Sequence, residues 1–232
     1  MKNLCTICMR EGSKGIPNKN LRELNGQPLM AYTIQQALQS ELFNNVVIST
    51  DSEKIAETAK SFGAEVWFIR PNKLATDEAQ KLATIRHAFQ ESEKYFGHKF
   101  DVLVDLDVTS PLRTIEDITK AYNQFVNEDA DILITACPAK KNPYYNMVEL
   151  KNGRVQLVKK LDKIPNSRQG APQVFDMNAS IYIWSRDFLI KEDSLFSGKL
   201  GFYEMPEDRS IDIDSPLDWE IVKMIMEKNC NG

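Results

Sequence analysis

The 232 residues carry 29 Lys and Arg against 33 Asp and Glu, a net charge of -4, and 42% of them are hydrophobic. That is enough for a full core in one large domain, or one domain with a lobe. No apolar run approaches the roughly 20 residues of a membrane span. Met1-Lys2-Asn3 leads into a short strand without a signal-peptide apolar region, and no long basic stripe offers a nucleic-acid footprint. The expectation is a cytoplasmic protein with no nucleic-acid or membrane partner.

The chain opens on a strand over 4–8. Within it Cys5 and Cys8 point to opposite faces about 10 Å apart along the strand, so they neither pair nor share a metal. With Cys137 and Cys230 they are too few and too scattered for a disulfide scaffold. Directly afterwards, Arg10, Lys14 and Lys19 stand with Gly12 and Gly15 in one turn, and the first 22 residues hold five Lys or Arg against one acid, Glu11. Glycines let backbone N–H groups approach an anion and the cations neutralise it, the composition of a polyphosphate-binding loop. Its spacing is neither G-x-x-x-x-G-K-[ST] nor G-x-G-x-x-G, and a solvated basic turn is the alternative.

Helices are expected over 28–39, with Pro28 at the first helical position, over 53–62, capped by Asp51 or Ser52, and over 79–95 and 115–127. The two histidines are too few for a metal site; His87 falls in a helix and His98 in the loop after it. Strands alternate with these helices over 46–50, 65–69, 102–106 and 132–136. The alternation predicts an α/β fold, a Rossmann-like, doubly wound, mostly parallel sheet. The rhythm breaks after Cys137. Residues 138–172 hold four prolines and an extended pair, 146–150 and 155–159, around Asn152-Gly153, which is a hairpin signal. We read residues 1–137 and 173–232 as the α/β domain and 138–172 as an inserted hairpin lobe that covers a site or joins subunits. The sheet resumes with a strand over 179–184, and a helix over 216–228 closes the chain.

Ligands of open α/β folds gather at the carboxyl ends of the strands. There the sequence places the cationic loop, Ser49-Thr50-Asp51, Arg70-Pro71 and the run from Asp105 to Arg113. Asp105 and Asp107 share one side of an extended segment, or make and cap a turn. Later, Asp212 and Asp214 alternate with Ile211 and Ile213, which puts both carboxylates on one face. Aligned carboxylates call for a cation, and Mg²⁺ carried by substrate phosphates is the natural one. Capping of the last helix by Asp214 is the plainer role, and both can coexist.

Together, Arg10-x-x-Ser13-Lys14-Gly15-x-x-x-Lys19-Asn20, Thr109-Ser110-Pro111-Leu112-Arg113, Arg168-Gln169, Asn178-Ala179-Ser180-Ile181-Tyr182 and Ser210-Ile211-Asp212-Ile213-Asp214 resemble the acylneuraminate cytidylyltransferases, the CMP-sialic acid synthetases. Order and spacing match over nearly the whole chain. The resemblance implies transfer of CMP from CTP to a nine-carbon 2-keto sugar acid, with Mg²⁺ and release of pyrophosphate. It assigns Arg10, Ser13, Lys14, Gly15, Lys19, Asn20 and Arg70 to CTP, with Arg70 on the cytosine side, and Asp107, Arg168, Asn178 and Tyr182 to the sugar. Asp212 and Asp214 become the metal pair, and Arg10, Lys19 and Asp212 the catalytic set. The lobe resembles a dimerisation segment, implying a homodimer in which Lys140, Lys141 or Arg168 crosses to the neighbouring site.

One departure matters. Where the sialic acid enzymes read Leu-Gln-Pro-Thr-Ser-Pro-Leu-Arg, this chain has Asp107 in place of the glutamine, and Asp176-Met177 precedes Asn178 where Arg-Pro is frequent. Exchanging an amide for a carboxylate changes which sugar substituents can be paired, which favours legionaminate or a related nonulosonate. The expected chemistry is in-line attack of the anomeric hydroxyl on the α-phosphorus, with Asp212, Asp107 or a metal-bound hydroxide as candidate proton acceptors. Competing readings are a pseudaminate or octulosonate cytidylyltransferase and a non-catalytic nucleotide or sugar-acid binding protein.

Overall fold

A computed structural model of the chain describes residues 1–12, 15–163 and 165–230. In chain order it contains β1 (Asn3–Cys8), β2 (Glu23–Leu24), β3 (Gln27–Pro28), α1 (Leu29–Gln39), β4 (Asn45–Ser49), α2 (Glu53–Ser61), α3 (Lys81–Phe96) and β5 (Val102–Leu106). There follow α4 (Ile115–Glu128), β6 (Ile132–Pro138), β7 (Val148–Lys151), β8 (Arg154–Leu157), β9 (Phe175–Ser185), α5 (Arg186–Lys191), β10 (Leu200–Glu204) and α6 (Pro216–Cys230). Six strands form one sheet in the order β10-β6-β9-β5-β1-β4. β1 runs parallel to β4 and β5, and β6 parallel to β10.

Alternation along β1 explains why the sheet is covered on both faces. Cys5 and Ile7 enter a core built with Leu29, Ile34, Ile118 and Val222, whereas Leu4 enters the opposite core with Ile85, Phe89 and Trp184, and Cys8 packs against it. The two cysteines therefore part to opposite faces, as the strand period requires. Helices α1, α2, α4 and α6 cover the first face and α3 and α5 the second.

β9 is antiparallel to both its neighbours, β5 and β6. Its apolar pattern carries no direction. The direction comes from the connection: after β6 the chain runs through the β7–β8 hairpin and returns at the same end of the sheet without the crossover that a parallel neighbour requires. The register of β6 against β9 slips between Ile134 and Ala136, and Ala179 takes φ 52°. At this bulge Thr135 Oγ1 donates to Asn178 Oδ1 at 2.7 Å and accepts from Ile181 N at 3.1 Å. Side chains thus replace ladder bonds where the chain is bent.

The strand expected over 65–69 is absent; one bridge, Val47 to Glu65, remains. A strand would send Trp67 and Phe68 to opposite faces. Both instead turn to α3, Trp67 stacking on Tyr95 with ring centroids 4.4 Å apart and Phe68 meeting His87 at 5.6 Å. Pro28 stands just outside α1 as its N-cap. Asp214 is likewise not the cap of α6: Asp218 N donates to Ser215 Oγ at 3.3 Å and Ser215 N to Asp218 Oδ2 at 2.7 Å, with Ser215 Oγ also donating to Asp218 Oδ2 at 2.7 Å. The carboxylate of Asp214 is left free of that duty.

Arg113, 1% exposed, ties the site to this frame. It donates to Ser180 O at 2.6 Å, Thr33 Oγ1 at 3.0 Å, Gln36 Oε1 at 3.1 Å and Asp107 O at 3.2 Å, joining α1, β9 and the turn after β5. Burial pulls its guanidinium down to about 10, so it stays charged at neutral pH. Arg113→Ala would strand several buried acceptors at once. We expect a loss of about 3 kcal/mol in unfolding free energy by urea titration, with an unchanged denaturant slope.

Candidate active site

Arg10, Gly15, Lys19, Asn20, Asp107 and Asp214 line one cleft of about 270 Å³ at the carboxyl ends of β1 and β5. Ser13 and Lys14 lie outside the described residues. The loop after β1 is held from below: Asn20 Nδ2 donates to Arg10 O at 2.9 Å, and Met9 N to Ser49 O at 2.9 Å. Lys19 and Asn20 ride a single 3-10 turn (Lys19–Leu21) entered through Asn18 at φ 52°. Arg10 pairs with Asp77 at 2.6 Å on the cleft's outer side.

Across the cleft, this loop touches the segment that precedes α6. Lys19 Nζ donates to Ile213 O and lies 3.4 Å from Asp214 Oδ1. A Cβ on Gly15 would stand 1.9 Å from Asp214 O, a separation no side chain tolerates. Glycine is required here for close approach. The same segment is fixed at three more points: Ile213 N donates to Thr109 O at 2.9 Å, Asn178 Nδ2 to Ser210 Oγ at 2.9 Å, and Arg209 grips Asp117 through two bonds of 2.8 Å. Asp117 in turn closes the capping box of α4 with Thr114.

The acidic wall is uneven. Asp214, with its side chain 77% exposed, faces the cleft. Asp212 is more sheltered, and burial together with the charge of Asp107 pushes its carboxyl up to about 6. Its Oδ1 is buried without a hydrogen-bond partner among the described residues. An electron-rich oxygen so placed, beside a second, exposed carboxylate, fits a hard divalent cation. Among the described residues no group of three or more His, Cys, Asp or Glu could hold a metal unaided.

Other sequence-predicted residues sit elsewhere. Arg70 is 5% exposed and donates to Met9 O, behind the cleft rather than on its surface. Asn178 is 6% exposed with its amide engaged internally, so within this chain it fastens the Asp212 segment. Arg168 lines a separate cavity of about 420 Å³ with Pro138 and Asn142, where it donates to Ala139 O at 2.7 Å. Tyr182 is nearly buried in β9, pairing with Asp105 of β5. Sequence reasoning missed Lys81, whose ammonium reaches Asp107 Oδ2 at 2.6 Å. No local pattern marks it, because its partners lie more than 20 residues away, on and just after β5.

The raised Asp212 carboxyl has a thermodynamic consequence. Between the unfolded value of 3.8 and the folded value of about 6, the fold retains a proton that the unfolded chain releases. Stability from this group is therefore complete below about pH 4 and falls as pH rises to about 6. Relative to wild type, metal-free Asp212→Asn should gain stability across that window and none further above about pH 7, by urea unfolding at each pH.

A protein-family profile described as Cytidylyltransferase matches residues 4–230. The chain is 49% identical over 223 residues to the CMP-N,N'-diacetyllegionaminic acid synthase of Campylobacter jejuni, covering 96% of this chain and 94% of that protein. It is 30% identical over 233 residues to a pseudaminic acid cytidylyltransferase of the same species, covering 99% and 98%. Its fold is similar to a CMP:2-keto-3-deoxy-manno-octonic acid synthetase complexed with CTP, with a TM-score of 0.73 at 16% identity over 99% of this chain and 100% of that one. The α/β expectation is borne out, and so is the family that the motifs resembled: this chain belongs to the cytidylyltransferases and is a nucleotidyltransferase.

Proposed function

We propose that the enzyme transfers CMP from CTP to the anomeric hydroxyl of a sialic-acid-like nonulosonate, legionaminate before N-acetylneuraminate, and releases pyrophosphate. The observation that carries this reading is the contact at Gly15 and Lys19, where a cationic phosphate loop and a carboxylate segment meet across one cleft. Nucleotidyl transfer needs both, since the triphosphate is polyanionic and gains charge at the leaving group. The 49% identity to a legionaminic acid synthase, against 30% to a pseudaminic acid enzyme, supports the choice of sugar, as does Asp107 in place of glutamine.

In this reading Arg10 and Lys19, with Ser13 and Lys14, bind the phosphates, and Gly15 and Asn20 shape the loop around them. The hydroxyl oxygen forms a bond to the α-phosphorus, its proton passing through Asp212 or Asp107 to solvent, as the α–β anhydride bond breaks and its electron pair leaves on pyrophosphate. Arg10 and Lys19 stabilise the negative charge that passes to pyrophosphate. Arg70 holds the backbone at Met9 from behind, on the cytosine side. Cytidylyltransferases of this fold generally use a divalent metal; here Mg²⁺ on Asp212 and Asp214 would neutralise phosphate charge and orient the α-phosphate.

A homodimer completes the site. Val148 and Leu150 pair with Leu157 and Val155 across the β7–β8 hairpin, giving one apolar face on which Leu150 is 74% and Val155 71% exposed. A second copy covering that face would bring the lobe, with Arg168, Lys140 and Lys141, toward the neighbouring cleft, where Arg168 suits the sugar carboxylate. A CTP-consuming reaction fits a cytoplasmic location.

Incubation with CTP, Mg²⁺ and a panel of nonulosonic acids should release pyrophosphate and yield a CMP-sugar identifiable by mass, fastest with legionaminate. Preference for pseudaminate, or for ATP, GTP or UTP, would refute the assignment. Gly15→Ala should lower kcat/KM by about 100-fold by prising the loop from Asp214, while Tm changes little; kcat/KM within twofold of wild type would remove the clamp.

A further inference from the structure

Lys81, the first residue of α3, is not absorbed by the phosphate site. Its ammonium lies 2.6 Å from Asp107 Oδ2, 3.6 Å from Asp105 Oδ2 and 5.1 Å from the centre of the Tyr182 ring. Asp105 is 1% exposed; Thr6 Oγ1 donates to its Oδ1 at 2.8 Å, and its Oδ2 has no hydrogen-bond partner among the described residues. Lys81 is thus the cation that answers both carboxylates. Burial opposes charge on Lys81 and on Asp107, yet each holds the other ionised: Lys81 rises well above the ordinary lysine range and Asp107 falls well below that of a carboxylate.

The pair keeps unused valence. Asp107 Oδ1 accepts from Thr109 N at 3.1 Å and Thr109 Oγ1 at 2.8 Å, while its Oδ2 accepts Lys81 and retains a lone pair. An ammonium has three protons, and Lys81 spends one on Asp107 and at most a second on Asp105. The Lys81 side chain is 39% exposed and that of Asp107 23%. A donor and an acceptor therefore stand side by side next to the cleft.

An adjacent acceptor and donor on a ligand would match them, as vicinal polar substituents of a sugar do, or the pairing edge of cytosine. Two features favour the sugar. Phosphate is excluded by the carboxylate and has its cations on the opposite wall. A base wants an aromatic platform, and Tyr182, the ring beside the pair, is covered by Lys81 on one side and stacked on Trp184 at 5.3 Å.

We propose that Lys81 and Asp107 act as one specificity-determining unit that reads neighbouring polar substituents of the sugar acid. This rests on the nonulosonate reading. Lys81 keeps Asp107 oriented and supplies the second bond, which a glutamine at 107 would supply from its own amide.

Lys81→Met, Asp107→Asn and the double variant test it, with Tm recorded for each. For the preferred nonulosonate kcat/KM should fall about 10- to 100-fold, the double variant being no worse than the poorer single one. Preference between sugars that differ at one exocyclic substituent should shrink to about threefold or less. The calorimetric Kd for CTP without sugar should stay within about twofold of wild type. Equal losses on every sugar, additive losses in the double variant, or a CTP Kd that weakens in step with kcat/KM while UTP becomes a substrate would each overturn the proposal, the last in favour of the base. Should Lys81→Met not fold, the sugar preference of Asp107→Asn decides alone. A wild-type enzyme that turns over no nonulosonate at all would instead sink the proposed function.

Discussion

Gly15 packs against the carbonyl of Asp214, and Lys19 donates to the carbonyl of Ile213, so two pieces of chain 194 residues apart form the two sides of one cleft. Much else in the molecule serves that contact. β1 is an interior strand, paired on both sides by β4 and β5, so the start of its loop is fixed by two ladders. The opposing segment has no ladder of its own. It is pinned instead by Thr109, by Asn178 at the bulge of β9, and by Arg209 on the capped start of α4. Loss of any pin moves carboxylates relative to the phosphate loop, and displacements of about 1 Å are enough to impair catalysis.

Charge is arranged around this contact in opposed layers. Arg10 and Lys19 stand on the loop side, Asp212 and Asp214 on the other, and the Lys81–Asp107 pair at the edge. Asp212 is the group whose environment leaves it unmatched, with a buried oxygen lacking a partner among the described residues and a carboxyl raised to about 6. A phosphate-borne cation would answer it. Arg113 beneath faces no ligand, and its charge is spent on carbonyls and side-chain oxygens that fix the turn after β5.

Much of this was legible because it is written in local periods. The helices and most strands follow from 3.6- and 2-residue spacing, and the alternation of Asp212 and Asp214 with isoleucines survives in the fold. What escaped was non-local. The reversed direction of β9 depends on how the segment carrying the β7–β8 hairpin returns the chain, and the failed strand over 65–69 depends on α3 offering aromatic partners to both Trp67 and Phe68. β10 and α5 follow weakly patterned sequence, β10 being set by the open edge of β6 and α5 by the core that Phe188 and Leu189 enter. At the site, the basic loop and late carboxylates could be read from composition. Lys81 could not, since its meaning lies in Asp105 and Asp107, and the interior placement of Asn178 and Arg70 appears only once the bulge and the loop are folded.

Lys19 and Asp214 should therefore work as a single nucleotide clamp across the cleft. A double-mutant cycle on calorimetric CTP affinity, using Lys19→Met, Asp214→Asn and their combination with Mg²⁺ present, measures this directly. A clamp predicts a coupling of about 1 kcal/mol or more between the two substitutions. Losses that add to within about 0.5 kcal/mol would show two independent sites and contradict it.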